Sequence, residues 1–200
     1  MLSNKDIFSL HRQPCHGWWL YLWLPISMTV CSPFPIPCLG QATDGNLESQ
    51  VKAAYIYNFT QFVYWDKRQG DTTISPIIIS VLGNDPVGDL LKNFSEKQAA
   101  GRAITVKQSE NATRALSDCH LIFIGGSEKQ QLPAIFQQLR GTNVLTVSDI
   151  PGFARHGGMI GFFIEDGRVK IEIDLNAVNN AGLKVSAKLL EIARIVSSKD

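Results

Sequence analysis

From Leu47 to Trp65 the apolar residues Val51, Ala54, Tyr55, Phe59, Phe62 and Val63 recur mainly at intervals of three and four, which predicts an amphipathic helix with an aromatic face. A polar stretch, 66–75, separates it from Ile77, Ile78, Ile79, Val81 and Leu82, a β-branched run of the kind that forms a strand buried on both faces. Gly83-Asn84-Asp85-Pro86 then turns the chain. Asp85 is placed to cap a helix whose first residue is Pro86 and whose apolar positions are Val87, Leu90, Leu91 and Phe94. The rhythm repeats: Ala103 to Val106 reads as a strand, 111–117 as a short helix, and Leu121 to Ile124 as a third strand ending in Gly125-Gly126. Ser127 and Gln130 form the pattern of a capping box for a helix running to about Arg140, which Gly141 can close. Val144 to Val147 reads as a fourth strand.

The last third changes pattern. Met159 to Ile164 and Arg168 to Leu175 flank Asp166-Gly167, a strong hairpin signal. In the second of these runs Val169, Ile171 and Ile173 alternate with Lys170, Glu172 and Asp174, so one face is expected buried and the other wet. A helix capped near Asn176 and a second region, 186–196, rich in Leu189, Leu190, Ile192, Ala193, Ile195 and Val196, complete the chain. Strands alternating with helices through short loops predict right-handed βαβ units. The expected fold is therefore α/β: a single three-layer α/β/α domain over 43–200, with a mainly parallel sheet and a C-terminal antiparallel hairpin.

The first forty residues do not fit that domain. Lys5, His11 and Arg12 precede an apolar stretch, Trp18 to Val30, interrupted by Pro25 and too short to span a bilayer. Pro33, Pro35 and Pro37 break any helix, and Gly40 and Ala42 are small residues at the two positions a signal peptidase inspects. The reading is a signal peptide over 1–42, cleaved after Ala42 to deliver the domain to the periplasm; a peripheral apolar N-terminal helix is the competing one. Val30 before Cys31 and Pro37 before Cys38 argue against a lipid-modified cysteine. Cleavage would leave Cys119 as the single cysteine, so the exported domain is held by its core without an internal disulfide. Cys119 adjoins the apolar run 121–124 and reads as a small buried hydrophobe.

Charge removes one class of partner. The whole chain carries a formal net charge of +1, and the leader contains Lys5, Arg12 and Asp6, so the remainder balances acid against base. A neutral domain lacks the clustered Lys and Arg that nucleic acid requires.

Groups suited to catalysis are sparse, and we expect neither an enzyme nor a cofactor or metal site. Beyond the leader the histidines are His120 and His156. Cys119 and His120, adjacent on a strand, would point to opposite faces, which is wrong for a nucleophile and its base. Ser148, Asp149 and His156 could assemble a triad, but no nucleophile elbow surrounds Ser148. The loops Gly83-Asn84-Asp85, Gly125-Gly126-Ser127 and Ser148-Asp149 would share the carboxyl edge of the sheet, where open α/β sheets bind ligands. No phosphate-binding glycine motif is present, so the glycines are as readily explained by turns. A small-molecule sensor using that edge is nevertheless the alternative functional reading. The aromatic residues Tyr55, Phe59 and Phe62 read as core, with exposed aromatic area near Trp65 suited to an interface.

Three stretches resemble the YfiR family. Val51-Lys52-Ala53-Ala54-Tyr55-Ile56-Tyr57-Asn58-Phe59, ending in Phe62-Val63-Tyr64-Trp65, is similar to the family's opening helix. Val147-Ser148-Asp149-Ile150-Pro151-Gly152-Phe153, followed by Gly157-Gly158-Met159-Ile160-Gly161-Phe162, resembles its central signature. Asn180-Ala181-Gly182-Leu183-Lys184-Val185-Ser186-Ala187-Lys188-Leu189-Leu190 resembles its closing one. The resemblance implies a periplasmic regulator that holds an inner-membrane diguanylate cyclase inactive by contacting its periplasmic region. An outer-membrane lipoprotein with an OmpA-like domain can relieve that inhibition, and the output is cyclic-di-GMP and biofilm. Unlike disulfide-bearing members, this sequence would keep only Cys119, which leaves a homodimer paired through that residue as the route to thiol control. The residues expected to bind the partner are Ser148, Asp149, Phe153 and Arg155 of the central signature, where a Pro-Gly turn can project side chains from a strand end. Glu165 and Arg168 of the hairpin form a second candidate surface.

Overall fold

The computed structural model of the protein describes residues 42–65, 75–110, 112–116 and 118–198. The expected leader lies outside them except for Ala42, as do nearly all of the polar stretch 66–75 and the ends, Asn111 and Ser117, of the expected short helix.

Ten strands and six α-helices follow in the order α1 (Ala42–Phe62), β1 (Val63–Trp65), β2 (Ile77–Leu82), α2 (Pro86–Lys92), β3 (Gln98–Ala99), β4 (Arg102–Ser109), α3 (Ala112–Leu116), β5 (Leu121–Ile124), α4 (Leu132–Leu139), β6 (Leu145–Ser148), β7 (Ile160–Glu165), β8 (Arg168–Asp174), α5 (Leu175–Asn180), β9 (Leu183–Val185), α6 (Ala187–Leu190) and β10 (Ala193–Val196) among the described residues. Eight strands form one sheet in the order β10-β8-β7-β6-β5-β2-β4-β3. Its centre, β4 through β7, is parallel, and β8 returns antiparallel to β7 with Phe162 opposite Ile171. The α/β reading and the C-terminal hairpin are thus observed. Asp166 and Gly167 both take positive φ, 51° and 70°, the geometry that a two-residue turn between twisted strands requires.

Helices cover both faces because the central strands are apolar on both. Leu121 and Phe123 of β5 join Ile56 and Phe59 of α1, Val87 and Leu91 of α2 and Val178 of α5 in one cluster. Ile122 and Ile124 point the other way, to Ala115 of α3 and to Leu132 and Ile135 of α4. Cys119 belongs to the second cluster and is fully buried, so pairing with the thiol of a second subunit would require this segment to open.

Several local expectations are corrected, among them the wet face of β8, where Glu172 and Asp174 are buried. The helix α1 stops at Phe62, and residues 63–65 leave it to pair antiparallel with β9, Val63 opposite Val185. Its buried face is Ala53, Ile56 and Phe59, while Ala54 is exposed; apolar residues lie on several sides of this helix, and docking on the sheet selects the face. Trp65 is half-buried, its Nε1 donating to His120 O at 3.0 Å, so Tyr64 is the exposed aromatic of this segment. The capping box does not form: Ser127 Oγ donates to Glu128 Oε1 within a 3-10 helix over Gly126–Gln131, and α4 begins only at Leu132, where Pro133 lacks an N–H for the preceding turn. Finally, 186–196 is not continuous. Ser186 caps the single turn of α6 by accepting from Leu189 N, and the β-branched Ile195 and Val196 lie in β10, parallel to β8 at the sheet edge. The antiparallel pair β3–β4 adds a short edge that no sequence pattern announces.

The two aromatic residues Phe59 and Tyr64 test this packing against each other. Phe59 is fully buried and stacks with Phe162 at 6.1 Å, whereas Tyr64 is 59% exposed. Phe59→Ala is expected to cost about 3–5 kcal/mol, and Tyr64→Ala about 0.5 kcal/mol or less. Urea unfolding of both variants measures the difference.

Candidate functional site

The central turn begins where β6 ends. Ser148 is fully buried: its Oγ donates to Ile124 O at 2.7 Å and accepts from Ile150 N at 3.0 Å. Gly152, at φ 72°, starts a 3-10 helix over Phe153–His156, and Gly157, at φ 99°, ends it. The turn closes inward around Phe153, which is fully buried 5.6 Å from Phe136. A Cβ on Gly158 would stand 2.2 Å from the Phe153 ring, so that glycine is the floor on which the ring lies. Ser148 and Phe153 therefore do not project from the turn as expected; they hold its shape.

Of the other expected residues, Arg155 is half-exposed and its Nε lies 3.4 Å from Oε2 of Glu172, a buried carboxylate on β8. Glu165 pairs with Arg194 of β10, whose guanidinium sits 4.2 Å from the Phe163 ring centre. Arg168 is exposed at the start of β8. The exposed Glu165 pair contributes little to stability, while Arg155 offsets the cost of a carboxylate taken out of water.

Asp149 is tied elsewhere, to a residue that the sequence pattern does not mark as functional. Lys52, on the inner face of α1, is 7% exposed, and its Nζ lies 2.7 Å from Asp149 Oδ2 and 2.6 Å from Glu48 Oε1. Burial by itself would lower the lysine's pKa, but the hydrogen bonds and charges of Asp149 and Glu48 outweigh it and hold the ammonium above its ordinary value of 10.5. Close by, burial pushes the Asp85 carboxyl up; the bond from Val87 N and the charge of Lys52 oppose the shift, and the charge of Asp149 adds to it. The carboxyl edge thus holds Glu48, Lys52, Asp85 and Asp149 together. The one sequence signal for Lys52 is a cation beside Ala53 on the buried side of a helix.

Between α1 and the hairpin lie two adjoining clefts. One, of about 260 Å³, is bounded by Lys52, Asp149, Pro151 and Phe163; the other, of about 510 Å³, by Leu47, Val51, Arg168 and Val169. Glu48 and Ile164 line both, so together they form a groove from the central turn along α1 to the hairpin. Leu47 is 61% and Ile164 52% exposed, an apolar rim open to solvent with Asp149 at one end and Arg168 at the other.

The remaining candidates bond away from one another. Ser148 is committed to backbone, Asp149 to Lys52, and His156 Nδ1 lies 2.7 Å from Gly152 O, so the three do not form a triad. His120 is buried, with Nδ1 accepting from Ile78 N at 3.1 Å and Nε2 3.0 Å from Arg102. At the carboxyl edge, a Cβ on Gly83 would come 2.5 Å from Ser127 Oγ and 3.1 Å from Glu128 Oε1. The Ser127 and Glu128 side chains thus stand close against Gly83 and occupy the space between those two loops. Among the described residues no group of three or more His, Cys, Asp or Glu is placed to hold a metal ion, and no helix is long and apolar enough to cross a membrane.

Removing the lysine tests the electrostatics. Lys52→Met is expected to lower stability by about 1.5–3 kcal/mol at neutral pH. A pKa raised in the folded state contributes stability that is present in full below the unfolded value and is lost as pH rises through the folded one. The deficit of Lys52→Met should therefore shrink on the alkaline side of 10.5, which urea unfolding across that range will show.

The geometry also relates the three stretches singled out in the sequence. Lys52 of the first bonds Asp149 of the second; β1 of the first pairs with β9 of the third, and Ser186 N donates to Phe62 O at 2.8 Å. No curated protein matches the sequence. The model of the YfiR/HmsC-like family matches residues 49–194, a span that starts in α1, ends in β10 and takes in every element between. The chain belongs to the YfiR/HmsC-like family.

Proposed function

We propose that this protein is a periplasmic regulator that binds the periplasmic region of an inner-membrane diguanylate cyclase and holds it inactive, lowering cyclic-di-GMP and so biofilm formation. Family membership supports the reading. The observation that carries it is the groove between α1 and the hairpin, where Leu47 and Ile164 are more than half exposed beside Arg168. Large apolar side chains clustered at a groove and rimmed by polar ones suit a protein partner. Asp149 and Arg168 contribute its charged ends, whereas Arg155 and Glu165, paired with Glu172 and Arg194, lie outside its lining. An OmpA-like outer-membrane lipoprotein that competes for the protein would release the cyclase.

Two outcomes test this. Leu47→Ser and Ile164→Ser are expected to leave the circular dichroism spectrum unchanged and to weaken binding to the purified periplasmic region of the cell's own cyclase. A hot spot would lose about 2 kcal/mol or more, near thirtyfold in affinity. Deleting the protein should raise cyclic-di-GMP. Unchanged cyclic-di-GMP together with no measurable affinity for any such cyclase region would refute the reading.

A separate outcome concerns export. The mature protein is expected to begin at Thr43, following the small residues Gly40 and Ala42, and an intact mass of the exported chain checks it. A mass that retains residues 1–30, or a lipid on Cys31 or Cys38, would overturn the assignment.

A further inference from the structure

At the opposite edge of the sheet, where β6 and β7 begin and β8 ends, a cleft of about 730 Å³ lies between α4 and α5. That volume is in the range of small-molecule sites, roughly 300–1,000 Å³. One wall is apolar, built from Phe136, Leu139 and Met159. The other presents Arg140, His156, Asn176 and Asn180, with Thr146 on the strand between. No aspartate or glutamate is among the described residues that line it.

The polar groups here are largely unspent. Arg140, the residue capping the C-terminus of α4, is exposed and makes no ion pair with the described residues. Thr146 is 3% exposed, and its Oγ accepts from Met159 N at 3.0 Å. That bond uses a lone pair and leaves the hydroxyl proton without an acceptor among the described residues, at the side of the cleft. His156 Nδ1 stands 2.7 Å from Gly152 O; a carbonyl only accepts, so Nδ1 carries the proton and Nε2 is left for another partner. The acid at the adjoining end of β8, Asp174, is fully buried, and its carboxylate already accepts from Asn176 N, Ala177 N and Ser198 N. A cleft whose one charged lining residue among the described residues is Arg140, with a buried hydroxyl donor and an apolar wall, has the composition of a site for an amphipathic anion.

We infer that this cleft binds a small carboxylate-bearing compound, its charge on Arg140, its oxygens within reach of Thr146, and its apolar body against Phe136, Leu139 and Met159. The site is separate from the α1–hairpin groove and stands whether or not a cyclase is the partner.

Phenylacetate, its neutral amide phenylacetamide, and inorganic phosphate are the probes, each titrated into the isotope-labelled mature protein and followed by amide chemical shifts. Phenylacetate at about 1 mM, a concentration suited to a weak small-ligand complex, should give saturable shifts at Thr142, Met159, Asn176 and Ala177. Phenylacetamide and phosphate should bind at least about tenfold more weakly. Arg140→Gln, an exposed substitution that leaves the core intact, should abolish the preference for the carboxylate, and Thr146→Val should weaken phenylacetate. Failure of phenylacetate to saturate, equal binding of the amide, shifts confined to other surfaces, or an unaltered preference in Arg140→Gln would overturn the proposal. Phosphate binding as tightly as phenylacetate would overturn the role of the apolar wall.

Discussion

The ammonium of Lys52 lies where α1 crosses the carboxyl edge of the sheet, and the path of the helix depends on it. A buried cation is tolerated only if its charge is answered at close range, and here two carboxylates do so from different sides. Glu48 answers from the preceding turn of α1 and Asp149 from the end of β6. The first interaction is local and could form in an isolated helix. The second fixes the helix over one strand end, and with Phe59 stacked on Phe162 farther along it leaves α1 one way to lie.

That placement of α1 creates the groove. Its two walls belong to elements that are each complete without the other: α1 is pinned by Lys52 and by its own apolar face, and the hairpin is pinned by its ladder to the sheet. The gap between them keeps Leu47 and Ile164 open to solvent, on supports that have little freedom to close over them. A rigid apolar slot with charged ends is well suited to a partner that must be held in one orientation, because the entropy of ordering the slot is already spent.

The framework is legible in the sequence for reasons that differ by element. The runs 77–82 and 121–124 stand out because strands buried on both faces need continuous apolar residues, and Asp85-Pro86 announces α2 because capping is chemistry within a few residues. Val63 to Trp65 and 186–196 depart from their local pattern because their conformations are set by partners distant in sequence: β1 exists through β9, and β10 through β8. The site is less legible still. A Pro-Gly turn rich in polar and aromatic residues reads as a surface, yet Phe153 and Ser148 turn inward, since the glycine at 158 opens a space that only a ring fills. Lys52 is hard to read as a site residue because apolar residues lie on several sides of α1, so the pattern alone does not tell which side is buried.

The pairing of β1 with β9 has a bearing on how the chain comes to be folded at all. Val63 meets Val185, and Lys52 meets a carboxylate 97 residues away, so although α1 packs against Val87 and Leu91 of α2, the pairing that ties down its end waits until the far end of the domain has arrived. Contacts this distant in sequence form slowly, because a long loop must close before they reward it. For a protein exported as proposed, that delay is useful: the leading segment stays threadable while the remainder is still crossing, and the fold locks only when the last strands reach the same side of the membrane.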